Sequence, residues 1–124
     1  MSYKNIWEQH GIYRLFSGKL AGKELLESIQ QVEADARFDS VRYVINNFLD
    51  VTEIDISPKD IKIIAAIDIA AALSNPHIYI AQVATDPQIE KLNELYSSVA
   101  GKSPYPTKVF NNLEDARKWL EELL

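Results

Sequence analysis

The chain contains no cysteine and only four glycines. Lack of cysteine excludes disulfides, thiolate metal sites and thiol nucleophiles, and it fits a reducing compartment. The glycines stand singly at positions 11, 18, 22 and 101. No glycine-rich loop is therefore available to wrap a phosphate, and Walker-type, dinucleotide-binding and Gly-x-Ser-x-Gly patterns are absent. Basic residues are outnumbered, 13 against 18 acidic for a net charge of −5, and they are scattered. Nucleic acid and anionic membrane surfaces need concentrated Lys and Arg, so neither is expected as a partner. The longest mostly apolar run, Ile63 to Leu73, spans 11 residues and is broken by Asp68. A membrane helix needs roughly 20, so no membrane insertion is expected. The first eight residues hold no apolar core of signal-peptide length, and a cytoplasmic location is the expectation.

What is present suits one globular domain over residues 1–124, with 47% hydrophobic and 25% charged residues. Tyr3 to Glu8 and Ile12 to Phe16, either side of His10-Gly11, read as a β-hairpin closed by Ser17-Gly18. Gly22 opens a helix to about Ala36, striped by Leu25, Ile29, Val32 and Ala36. Val41 to Leu49 reads as a strand buried on both faces, which points to parallel neighbours. An acidic loop follows. Ser57 is a good N-cap, Pro58 suits the first helical position, and Asp60 lies in the first turn. That helix ends near Ser74-Asn75-Pro76.

His77 to Ala84 forms the next strand. Asp86-Pro87 repeats the cap-and-proline start of a helix striped by Ile89, Leu92, Tyr96 and Val99 and stopped by Gly101. Lys102 to Pro106 is a loop, and Lys108 to Phe110 a short strand. Asn112, with Asp115 three residues on, caps a last helix striped by Leu113, Ala116, Trp119, Leu120 and Leu123. The order predicts a single-domain α/β fold: a mixed sheet of about five strands with an N-terminal hairpin and four flanking helices.

This order resembles the SpoIIAA-like family, a branch of the STAS-type fold. Four segments carry the resemblance: Phe16 to Leu20, Val44 to Thr52, Asp55-Ile-Ser-Pro58 leading into Ala65 to Asp68, and Val109 to Leu120. The resemblance implies a mixed sheet flanked by four helices, in a fold shared with phospho-switched anti-sigma-factor antagonists and Sec14-type (CRAL-TRIO-like) lipid carriers. In such antagonists a serine stands where a strand meets a helix, within an Asp-Ser-Ser/Thr-Gly run. The matching place here reads Asp55-Ile-Ser57-Pro58, with the serine one place along, no glycine, and a proline following.

Ser57 is thus the phospho-acceptor candidate, against its plainer role as N-cap. Asp50, Glu53 and Asp55 are oxygen ligands of the type a hard cation takes, but acids ahead of a helix are commonplace. His10 and His77 are too far apart in the chain to suggest a metal site or a triad. No metal, cofactor or catalytic set is expected, and an enzyme is the disfavoured reading.

The helix beginning at Pro58 is apolar almost all round, so it must be covered on more than one side. With Ile63, Ile64, Ile67 and Ala71 on the sheet, Ala65, Ala66, Ile69, Ala72 and Leu73 form a second surface, of which Ala65, Ile69, Ala72 and Leu73 are the candidates. Asp68 is the odd member, placed on a solvent seam or in a buried hydrogen bond. Asp68 and those four candidates are the expected ligand or dimer surface. The resulting expectation is a non-enzymatic STAS-like binding or regulatory module with a protein partner, or self-associating as a homodimer. The alternative is a carrier of a lipid or other small apolar ligand.

Overall fold

The computed structural model describes residues 2–100 and 105–124. Five strands form one sheet: β1 (Tyr3–Trp7), β2 (Gly11–Ala21), β3 (Tyr43–Asp55), β4 (Tyr79–Val83) and β5 (Thr107–Phe110). Four helices accompany them: α1 (Gly22–Glu33), α2 (Pro58–Ala71), α3 (Pro87–Ala100) and α4 (Leu113–Leu123). The spatial order is β1-β2-β3-β4-β5. β1 is antiparallel to β2, and every later pair is parallel. Stepping always to the next strand with right-handed crossovers places α1, α2 and α3 on one face. Among the described residues α4, after the last strand, is the helix that covers the other face, where Ala116 and Leu120 pack with Ile45, Ala81 and Val83.

The two central strands are longer than the sequence suggests. β2 does not close at Ser17-Gly18 but runs to Ala21, with register shifts at Leu15/Ser17 and Gly18/Lys19. Gly18 takes a left-handed φ of 67°, which glycine adopts without a Cβ clash. The extension gives Asp50 to Asp55 a strand to pair with, so the expected acidic loop is strand instead. Its acids, Asp50, Glu53 and Asp55, are exposed while Val51 and Ile54 are half-buried.

Smaller corrections have local causes. α1 ends at Glu33, before Ala36; Asp35 accepts a hydrogen bond from the Arg37 N–H and starts a separate 3₁₀ turn, Ala36–Ser40. β4 begins at Tyr79 rather than His77, whose N–H is taken by Asn75 Oδ1 at 3.1 Å. The expected helix stop at Gly101 and the start of the loop at Lys102 lie outside the described residues.

The Ser57 start of α2 is a full capping box. Ser57 Oγ accepts from the Asp60 N–H at 3.1 Å, and Asp60 Oδ2 accepts from the Ser57 N–H at 2.9 Å. Gly22, at the start of α1, leaves the space that the Asp60 carboxylate fills; a Cβ there would collide with it. Arg117 of α4 reaches Glu8 with two hydrogen bonds, of 2.9 and 2.7 Å, tying the hairpin to the final helix.

Candidate functional site

On the face covered by α1, α2 and α3, three parallel strands repeat one pattern. β2 offers Ile12, Arg14 and Phe16; β3 offers Val44, Asn46 and Phe48; β4 offers Ile80 and Gln82, with Ala84 just beyond it. Alternate residues of a strand share a face. The register pairs Asn5 with Arg14, Arg14 with Asn46, and Asn46 with Gln82. A row of four polar side chains therefore crosses the sheet beneath the helices. It divides the interior in two. Phe16, Phe48 and Ala84 join Ile61, Ile64 and Ile89 on one side, and Ile12, Val44 and Ile80 join Val32, Phe38 and Ile78 on the other.

Arg14 is the anchor of the row and is only 3% exposed. Its Nε donates to Asn5 Oδ1 at 2.9 Å, Nη1 to Asn46 Oδ1 at 3.0 Å, and Nη2 to the Ser28 carbonyl at 3.3 Å. Burial lowers its pKa to about 10, against the opposing pull of Asp68 and Glu33, so it stays charged at neutral pH. Asp68, buried on α2, accepts a 2.8 Å hydrogen bond from the Tyr96 hydroxyl of α3.

Glu33, the last residue of α1, lines the same cavity as Asp68, and the two carboxyls perturb each other. Desolvation first, then the neighbouring Asp68 carboxyl, push Glu33 up to about 9. Desolvation likewise raises Asp68, against the pull of its hydrogen bonds and of Arg14. The negative end of the α1 dipole acts on Glu33 in the same direction. Two neighbouring buried carboxyls cannot both ionise cheaply, so Glu33 keeps its proton at neutral pH and Asp68 is raised beside it, with Arg14 pulling both back down.

The row is not closed at its far end. Gln82 Oε1 is buried and accepts no hydrogen bond. Beside it lies a cavity of about 100 Å³ bounded by sheet and helices. Its polar lining includes Arg14, Asn46, Gln82, Asp68, Glu33 and Tyr96, with Asn93, Tyr105 and Thr107; Leu25, Ile29, Phe48, Ile61, Ile64 and Ile80 are among its apolar lining. That is well above the roughly 10–15 Å³ one water needs, so it has room for several waters or one small ligand.

The structure divides the five α2 candidates between two faces. Ala65 and Asp68 point inward, at 0% and 7% exposure, while Ile69 and Leu73 point outward at 45% and 88%. Ala72 is half-buried. Ile63, expected against the sheet, is exposed, and Ile61 takes the inner position instead. Inward positions 61, 64, 65 and 68 follow helical spacing, and the stripe is offset from the expected one. Ile63, Ile69 and Leu73 thus form an exposed apolar stripe.

Ser57 is exposed at the α2 cap, away from the cavity lining. A phosphate there would meet the Asp60 carboxylate that accepts from the Ser57 N–H. Among the described residues, no group of three or more His, Cys, Asp or Glu is placed to hold a metal ion. Nor is any helix among them long and apolar enough to cross a membrane.

The polar row went unread in the sequence, although its signal is there. Arg14, Asn46 and Gln82 each interrupt an apolar same-face pair on a strand. Only pairing shows that the three interruptions coincide.

No family model matches the sequence, and no curated protein does. Solved structures match over nearly its whole length. The anti-sigma factor antagonist SpoIIAA in its unphosphorylated form superposes with a TM-score of 0.65 at 11% identity, covering 98% of each chain. An uncharacterized DUF3478-family protein with a SpoIIAA-like fold, from Shewanella loihica PV-4, gives a TM-score of 0.56 at 15% identity, covering 95% of this chain and 91% of its own. At such identities the likeness is one of architecture: this chain adopts the SpoIIAA-like, STAS-type fold.

Proposed function

We propose that the protein is a non-catalytic binding module whose ligand occupies the cavity between the sheet and α1, α2 and α3. One observation carries this reading. A polar row in register across the sheet ends in a buried, unpartnered Gln82 Oε1 at the cavity wall. Burying Arg14 with two carboxyls under three helices stabilises less than an apolar core of similar volume would. A binding role gives such an arrangement a purpose. Chemistry has less support, because the described lining holds no histidine, lysine or serine side chain to pair as nucleophile and base.

The volume favours a small molecule over a long-chain lipid. Native mass spectrometry of gently purified protein, compared with the denatured chain mass, tests the reading. A retained small-molecule adduct released on unfolding is expected. An empty protein that also retains nothing after incubation with a small-molecule library would end it.

A second reading is self-association or partner docking through α2, supported by the exposed Ile63, Ile69 and Leu73. Likeness to an anti-sigma factor antagonist suits such a regulatory setting, and we place it in the cytoplasm. Sedimentation velocity on wild type and Leu73→Glu checks the homodimer: a monomer at every concentration in wild type would remove it. Ser57 serves α2 as a cap in this reading, and Asp60 disfavours a phosphate beside it.

A further inference from the structure

We infer that the cavity selects a small, uncharged molecule with an apolar body that presents a hydrogen-bond donor to Gln82 Oε1. The inference rests on the cavity-binding reading above and adds the chemistry of the ligand. Three features of the site lead to it.

The first is the orphan acceptor. Gln82 Oε1 is sealed from solvent with no donor in reach, and a buried acceptor gains most from a partner that arrives with an O–H or N–H. Its neighbour in register, Asn46, is committed through Oδ1 to Arg14, so the two adjacent amides are not equivalent. Asn46 belongs to the scaffold, and Gln82 faces the ligand.

The second is charge. The groups facing the cavity from each packed element are Arg14 on β2, Glu33 on α1, Asp68 on α2, Tyr96 on α3, and Tyr105 just before β5. Arg14 is charged but its guanidinium is already engaged by Asn5, Asn46 and the Ser28 carbonyl, and burial shifts Glu33 and Asp68 toward their neutral forms. An anion or cation entering this buried space would give up its hydration at a heavy desolvation cost.

The third is shape. Branched aliphatic residues and Phe38 and Phe48 line most of the remaining wall, with Asn93 and Thr107 as its other polar members. An apolar body of the size of one aromatic ring fits the volume of about 100 Å³. A fully apolar molecule would leave Gln82 as unpaired as before.

Size-matched probes separate these requirements: benzyl alcohol, benzamide, benzoate, benzylammonium and toluene. Each is titrated into isotope-labelled protein while NMR follows the side-chain amide signals of Asn46 and Gln82 and the backbone of β3 and β4. Benzyl alcohol and benzamide are expected to bind at least tenfold more tightly than benzoate, benzylammonium or toluene. In Gln82→Met, whose spectrum reports its own folding, that order should reverse in favour of toluene. Equal binding of either ion, or of toluene to wild type, overturns the neutral-donor assignment while leaving cavity binding intact. If no probe moves any cavity signal, both the ligand class and the cavity reading fail.

Discussion

Two amides that are neighbours in register should respond to apolar substitution with opposite sign. Gln82 Oε1 is buried without a partner, and such an orphan costs about 1–3 kcal/mol. Methionine has nearly the same length and volume and fills irregular space without polar demands. Gln82→Met should therefore stabilise the protein by about 1–2 kcal/mol, the lower part of that range. Asn46→Leu does the reverse. It removes the acceptor of a 3.0 Å hydrogen bond from buried Arg14 and should cost about 1.5–3 kcal/mol, the range for a hydrogen bond to a charged group.

Unfolding entropy of about 2.1 cal/mol/K per residue gives about 260 cal/mol/K for 124 residues. Each kcal/mol then moves Tm by about 4 °C. Thermal melts followed by circular dichroism, with urea titrations for the free energies, would show Gln82→Met rising by about 4–8 °C and Asn46→Leu falling by a comparable amount or more. If Gln82→Met melts lower than wild type, the Gln82 oxygen is satisfied in solution and the open end of the polar row does not exist.

Other expectations follow from the same geometry. Arg14→Met should cost about 3 kcal/mol in urea titrations, the low end for breaking a buried pair, because burial already favours the protonated forms of Glu33 and Asp68; a loss below about 1 kcal/mol would contradict a structural role for the buried guanidinium. Glu33, raised to about 9, keeps its proton in the folded chain long after the unfolded chain has lost it. Its contribution is full below about 4.5 and is lost as pH rises toward about 9.

Urea midpoints should accordingly fall between pH 5 and 9 in wild type and fall less steeply in Glu33→Gln, where the raised Asp68 still contributes. The lowered carboxyls of Glu8, held by Arg117, and Asp35, held by Arg37, act only on the acid side of that window. Ser57→Ala should lose about 1 kcal/mol with the capping box, and Ser57→Asp should recover most of it in thermal melts; equal losses in both would point to a role for the hydroxyl beyond capping.

Much of the architecture could be read one residue at a time. Ser57-Pro58 starts α2, Asn112 caps α4 through the Asp115 N–H at 2.8 Å, and the doubly apolar run around Val44 and Ile45 lies inside a parallel sheet. Such features depend on neighbours within a turn or a strand, so local chemistry settles them. The Asp50 to Asp55 segment was misread for the opposite reason: nothing local marks it as strand, and its pairing depends on β2 running on past Gly18.

The binding site belongs to that second kind. Arg14, Asn46 and Gln82 stand 32 and 36 residues apart, and each alone is an ordinary polar residue in a strand. Asp68 was visible as an oddity in an apolar helix, but its direction and its partners Tyr96 and Glu33 were not. The sequence established the elements, their order and the acidic, cysteine-free character of the chain. Register across three strands, and the crossover of three helices onto one face, brought the polar groups together and left one of them unpaired. Side-chain periodicity is a property of the single segment, whereas alignment between segments arises only when the sheet has formed.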